Sequence, residues 1–182
     1  GLVGSEMCIR DRNFIYGINL GSNAVVRPGA VFKGNNSVGH SSYVVGGVLV
    51  GANTKIGVHS IIHDGVEIGK DSIVMHHVVI QSDSSVGNKV LLKNNAFLGV
   101  KTLIGNNVSI GHCCIVDKYS TVGANTVIGN STIIKRGCKI GANVKIGNNV
   151  EICANAVIED DATISDGVII DAGTLIEAGE TV

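Results

Sequence analysis

The chain has no tryptophan, a single proline and only 3% aromatic residues. A core of this size usually leans on large aromatic side chains; here the interior must be closed with aliphatic residues of repeated size. Charge is nearly balanced, with a formal net charge of -1 over 182 residues. That leaves no electrostatic footprint for nucleic acid or an anionic membrane surface. No apolar run approaches the roughly 18 residues a bilayer span requires. The five cysteines form no CxxC pair, which points to reduced thiols in a cytoplasmic protein rather than a disulfide framework. What the chain has in quantity is glycine, 25 residues, within a composition that is 45% hydrophobic.

These residues are arranged with a strict period. Every sixth residue from Leu20 is apolar: Val26, Phe32, Val38, Val44 and Val50, then without interruption through Ile110, Val116, Ile128 and Ile134 to Ile176 and Val182. Phe14 is also in register. An α-helix cannot use a period of six, and a flat strand shows a period of two. With the large apolar residue as position one, position five is small or β-branched, as at Ser42, Thr54, Cys114 and Thr126. Position four is rich in Asn, Asp and Gly (Asn53, Asp71, Asn107, Gly137), residues that tolerate a left-handed backbone at a sharp corner. Position two is often Gly, as at Gly39, Gly57, Gly111 and Gly129. Each hexad therefore reads as a short strand plus a corner, and three hexads close a triangular coil of about 18 residues, with residues of successive coils stacked about 4.8 Å apart.

This pattern resembles that of the hexapeptide-repeat acyltransferase family. The resemblance implies an all-β fold: a single-stranded, left-handed parallel β-helix of about nine coils without inserted loops. The left hand comes from the resemblance, since general crossover rules favour the right hand. Residues 13–182 are assigned to this domain. Residues 1–12, GLVGSEMCIRDR, follow none of the pattern and resemble a translated sequencing adapter. The repeat runs in register to the last residue, so both ends read as truncations of a longer chain.

Folding the sequence at the coil period turns it into columns. One outward column reads Val25, Tyr43, Ile61, Val79, Phe97, Ile115, Ile133, Glu151, Ile169. An apolar stripe of this length predicts a partner surface, and it fits the homotrimers typical of the family. The corner before that face carries five of the six histidines. Its third-position column is Ser22, His40, Val58, His76, Asn94, His112, Asn130, Asn148, Asp166, with His59 and His77 in the fourth-position column beside it.

The segment Ile110-Gly111-His112-Cys113-Cys114-Ile115 resembles the surroundings of the general-base histidine in lipid A pathway acyltransferases and in acetyltransferases acting on amino sugars of bacterial glycans. The resemblance implies that His112, with His76 as second choice, takes a proton from a sugar hydroxyl or amine as it attacks a thioester carbonyl. The co-substrate is then acetyl-CoA or another acyl thioester, with no metal expected. Backbone amides at Gly111 and Gly129 are candidate oxyanion donors, and Lys118 and Arg136 are candidate partners for the donor's phosphates. Cys113 stands where the family pattern has an acidic residue or Asn, so an oriented His112 requires some other carboxylate or carbonyl within hydrogen-bond reach. Two other readings stay open: a non-catalytic trimerisation module, and a metal site like that of γ-class carbonic anhydrases. For the latter, the stretch Val108–His112 resembles one ligand region, but Asp117 and Gly99 stand where further ligands belong.

Overall fold

A computed structural model describes residues 17–182. The segment 1–12 and Phe14 lie outside the described residues. From Ile18–Leu20 to Leu175–Ile176 the chain forms 27 short strands, gathered into three nine-stranded parallel sheets. Strands are paired with those 18 residues away: Ile110 lies beside Ile128, Ile115 beside Ile133 and Val122 beside Ile140. Successive hexads thus pass to the first, second and third sheet in turn. The result is a parallel β-helix of about nine coils, as the period predicts, and it matches the left-handed form that the resemblance implies. Among the described residues none is helical, and there is no helix long and apolar enough to cross a membrane.

The strands are short because the corners are frequent. Every sixth residue from Asn23 to Gly179 has a positive φ, including Asn53 at 59°, Asn107 at 58° and Gly137 at 71°. This is the turn the Asn, Asp and Gly of position four predict. The fold also imposes it on residues that gain nothing from it, such as Lys89 at 55°, Cys113 at 57° and Tyr119 at 61°, at a cost of about 1–2 kcal/mol each. Coil stacking overrides local preference at those positions.

Position one fills the prism axis with buried side chains, among them Ile62, Ile80, Leu92, Leu98, Ile110 and Ile134. Position five completes the core, and its hydroxyls close the corners. Ser42, Thr54, Thr126 and Thr132 each donate to the position-two carbonyl of the next coil, at 2.7–2.8 Å. Two cysteines in this column do the same work: the Cys114 thiol donates to the Gly129 carbonyl at 2.8 Å and the Cys138 thiol to the Cys153 carbonyl at 3.1 Å. Burial pushes both thiols above the usual cysteine range.

Glycine at position two has a steric cause. These glycines do not need a positive φ. A Cβ on Gly111 would lie 2.6 Å from the carbonyl carbon and oxygen of Gly129, and one on Gly129 would lie 2.5 Å from those of Gly147. The coils approach too closely there for any side chain.

Candidate active site at the first corner

The corner between the first and second sheets carries a hydrogen-bonded ladder along its third position. The N–H of one coil donates to the side chain of the coil above. His112 N–H donates to Asn130 Oδ1 at 2.8 Å, Asn130 N–H to Asn148 Oδ1 at 2.8 Å, and Asn148 N–H to Asp166 Oδ1 at 2.7 Å. Ser131 N–H donates to the His112 carbonyl at 2.8 Å, and Cys113 N–H donates to the Asn94 carbonyl at 3.0 Å. The backbone of His112 is therefore held by the coil above and that of its neighbour by the coil below.

Histidines in this column are treated differently. His40 Nδ1 accepts the Ser22 N–H at 2.8 Å, and His76 Nδ1 accepts the Val58 N–H at 3.0 Å. An Nδ1 that accepts places the proton of the neutral ring on Nε2. Neither nitrogen then offers a lone pair to a substrate unless that bond is broken. The half-buried His112 differs: among the described residues its ring makes no hydrogen bond, and the Asn94 N–H beneath it has no acceptor. The His112 and His76 rings thus differ in whether a backbone N–H occupies Nδ1.

One other sequence expectation meets a correction. The backbone amides of Gly111 and Gly129 are not available to an oxyanion, because they donate to the Ile128 and Ile146 carbonyls at 2.9 and 2.8 Å. They belong to the ladder that holds the coils together, and glycine is present for close approach rather than to expose its N–H. Lys118 and Arg136 are exposed but sit at the corner after the second sheet, with the strand Ile115–Val116 between them and His112. Within one chain they do not meet the histidine. Among the described residues no carboxylate or carbonyl is hydrogen-bonded to the His112 ring, so the orienting partner that Cys113 calls for is not supplied within one chain; the Cys113 Sγ itself lies 4.0 Å from Asn95 Nδ2. The rings of His59 and His77 stack one above the other with centroids 5.1 Å apart and planes 13° from parallel. Among the described residues no group of three His, Cys, Asp or Glu converges as a metal site would require.

The apolar column occupies the outer face of the second sheet. Ile61, Ile115, Ile133 and Ile169 are exposed on it, with Val25, Tyr43, Val79 and Phe97 partly covered. The one charge in the column, Glu151, is paired with Lys135 from the adjoining corner. The same pairing and charge raise the Lys135 ammonium pKa. Apolar exposure on the other faces is sparser in each column: Ile73 and Val127 on the first, Val31, Leu103 and Leu175 on the third.

Fold and repeat together define the class, a left-handed β-helix wound from hexapeptides. The family model described as bacterial transferase hexapeptide matches residues 125–160 and 143–178. That of the hexapeptide repeat of succinyl-transferase matches residues 47–81. The chain thus carries hexapeptide repeats that these family models recognise in residues 47–81 and 125–178. Among solved structures, LpxA from Acinetobacter baumannii aligns with a TM-score of 0.68 at 20% identity, covering 87% of this chain and 68% of that one. UDP-N-acetylglucosamine O-acyltransferase (LpxA) from Moraxella catarrhalis aligns at 21% identity over 85% of this chain and 63% of that one, with a TM-score of 0.39. Perosamine N-acetyltransferase from Caulobacter crescentus, solved with CoA and GDP-perosamine, aligns at 14% identity over 85% and 50%, with a TM-score of 0.37. At these identities the likeness is one of fold, and the chain spans between 50% and 68% of the length of these three relatives. No protein of curated function matches it in sequence.

The sequence reading missed the part played by Asn130, Asn148 and Asp166. The signal was present in the column at the coil period, where an Asn stands directly above His112. Position alone does not say which atom of an amide faces the backbone.

Proposed function

We propose that the protein is an acyltransferase. It moves an acetyl or other acyl group from a thioester, on CoA or an acyl carrier protein, to the hydroxyl or amine of a sugar or amino sugar, with His112 as general base. Support for the class comes from the transferase descriptions of the matching family models and from the fold shared with LpxA. The observation that carries the residue assignment is the free ring of His112 beside the tied rings of His40 and His76.

In this reading the acceptor's proton passes to His112 as its oxygen or nitrogen attacks the thioester carbonyl. The protein works in the cytoplasm as a homotrimer packed through Val25, Tyr43, Ile61, Val79, Phe97, Ile115 and Ile133. Trimerisation brings the Lys118 and Arg136 corner of one copy toward the His112 edge of the next. There the two cations bind the phosphates of the donor, a role that does not depend on their separation within one chain. The test is calorimetric titration with acetyl-CoA on a sample whose mass is followed by light scattering. The reading expects a trimer that binds acetyl-CoA and loses affinity in Lys118→Ala and Arg136→Ala. A folded trimer that neither binds acetyl-CoA nor cleaves an acyl-carrier-protein thioester is instead a structural module.

A further inference from the structure

Acyl transfer needs a hydrogen-bond donor for the oxyanion as well as a base. The two backbone amides the sequence nominates are committed to the ladder between coils. We propose that the side-chain amide of Asn130 supplies the donor. This inference rests on the acyltransferase reading and extends it to a second catalytic residue.

The argument is one of forced orientation. The His112 N–H is a donor, so the Asn130 atom facing it at 2.8 Å must be the oxygen, Oδ1. The NH₂ group is bonded to the same carbon and is thereby turned away from that backbone. Among the described residues Nδ2 has no hydrogen-bond partner, and Asn130 is exposed. Its backbone is fixed in turn, because the Asn130 N–H donates to Asn148 Oδ1, which belongs to a residue whose own N–H and side-chain amide are held by Asp166. The result is a rigid donor one coil, about 4.8 Å, above the residue that carries the free imidazole. A donor held in place before the reaction pays no reorganisation cost as charge develops.

The step balances as follows. The acceptor oxygen or nitrogen bonds to the thioester carbonyl carbon while its proton passes to the His112 ring. The carbonyl π pair moves to oxygen, and the resulting oxyanion accepts a hydrogen bond from Asn130 Nδ2–H. On collapse the C–S bond breaks, and the proton on His112 passes to the departing sulfur to give the free thiol.

The fold supplies its own control for the test. Asp160 and Asp166 occupy ladder positions and accept the Ala142 and Asn148 N–H groups at 2.7 Å, so a carboxylate is tolerated in this role. Asn130→Asp therefore keeps the acceptor for the His112 N–H while removing the donor; Asn130→Ala removes both. The equivalent ladder residue at another corner, Asn88, which accepts the Lys70 N–H, provides Asn88→Asp as the reference for stability and turnover. Thiol release is followed with acetyl-CoA and an acyl carrier protein thioester as donors and UDP-N-acetylglucosamine and a free amino-sugar nucleotide as acceptors.

Both Asn130 variants are expected to lose about 10²–10³-fold in kcat with little change in KM for the thioester; Asn130→Asp should melt like Asn88→Asp, and Asn130→Ala lower, because the His112 N–H loses its acceptor. If Asn130→Asp stays active while Asn130→Ala does not, Asn130 only holds the His112 backbone and the donor role is overturned. If Asn130→Asp stays active and His112→Ala does not, the base assignment stands without this donor. If the wild type releases no thiol, or His112→Ala remains fully active, the reading beneath the proposal falls with it.

Discussion

Two coils at one corner of this molecule carry a histidine in the same column, each beneath an asparagine, and treat it differently. In one, His76 lies beneath Asn94, whose Oδ1 accepts the His76 N–H at 3.0 Å. In the other, His112 lies beneath Asn130, joined by the same bond at 2.8 Å. The two differ in what lies below. The Val58 N–H reaches up to the His76 ring, whereas the Asn94 N–H leaves the His112 ring alone. A histidine in a solenoid corner is therefore defined by both neighbouring coils. One anchors its backbone, and the other either ties up its imidazole or leaves it available. Residue type and column position are shared by the two and cannot explain the contrast.

The comparison breaks most sharply in turnover. His112→Ala is expected to lose about 10²–10⁴-fold in thiol release without a change in the circular dichroism spectrum, while His76→Ala keeps wild-type turnover. Equal losses in the two variants would remove the distinction between the two coils.

The next largest effect concerns stability. Gly129→Ala forces a methyl against the Gly147 carbonyl at 2.5 Å, directly above the His112 coil. A loss of at least about 1–3 kcal/mol in urea unfolding is expected, as for overpacking where the backbone must move. Gly167→Ala meets nothing within 4 Å, although its φ of 74° carries a strain cost of its own. An unchanged midpoint in Gly129→Ala would mean that the coils separate more easily than their spacing implies.

A smaller effect sharpens the contrast directly. Proline already occupies the third position of a corner at Pro28. Val58→Pro removes the N–H that ties His76 and should cost about 0.5–1.5 kcal/mol, the worth of one hydrogen bond. Histidine modification by diethyl pyrocarbonate should then be faster at His76 and unchanged at His112. If His76 already reacts as fast as His112 in the wild-type protein, its ring is not tied in solution.

The smallest effect lies with the thiols at the same edge. Exposed Cys113 should react with a disulfide reagent in the native state, with Cys114 and Cys138 protected until unfolding. Because burial raises the pKa of both protected thiols in the folded state, the unfolded chain releases their protons first as pH rises. Their contribution to stability is therefore present below the ordinary thiol pKa and is lost as pH climbs through and above it. A denaturation midpoint that rises between neutral pH and the thiol range in the wild type, but not in Cys114→Ser/Cys138→Ser, would contradict that sign.

The fold was legible because its determinants repeat. Position one names the core, position four names the corner, and a constant interval sets the register of Ile110 on Ile128 without any tertiary information. The site was legible only in part. His112 and its cysteines could be found by motif, and the apolar column by folding the sequence at the coil period. The fates of the Gly111 and Gly129 amides were misread because glycine reports either backbone freedom or a close approach, and the letter does not say which. Lys118 and Arg136 stand at the corner after the second sheet, as the coil period places them, and whether they approach the His112 of another copy depends on an assembly that the period of one chain does not encode.

The sequence by itself determined the coil, its interior and the apolar face, because each depends on the type of residue recurring at a fixed interval. Only the tertiary structure decided which histidine keeps a free ring, which amides are already bonded and how Asn130 is turned. Hydrogen bonds between coils are directional, and each N–H has one proton to donate. Its assignment depends on the arrangement of atoms in the coil above as well as on the residue that carries it.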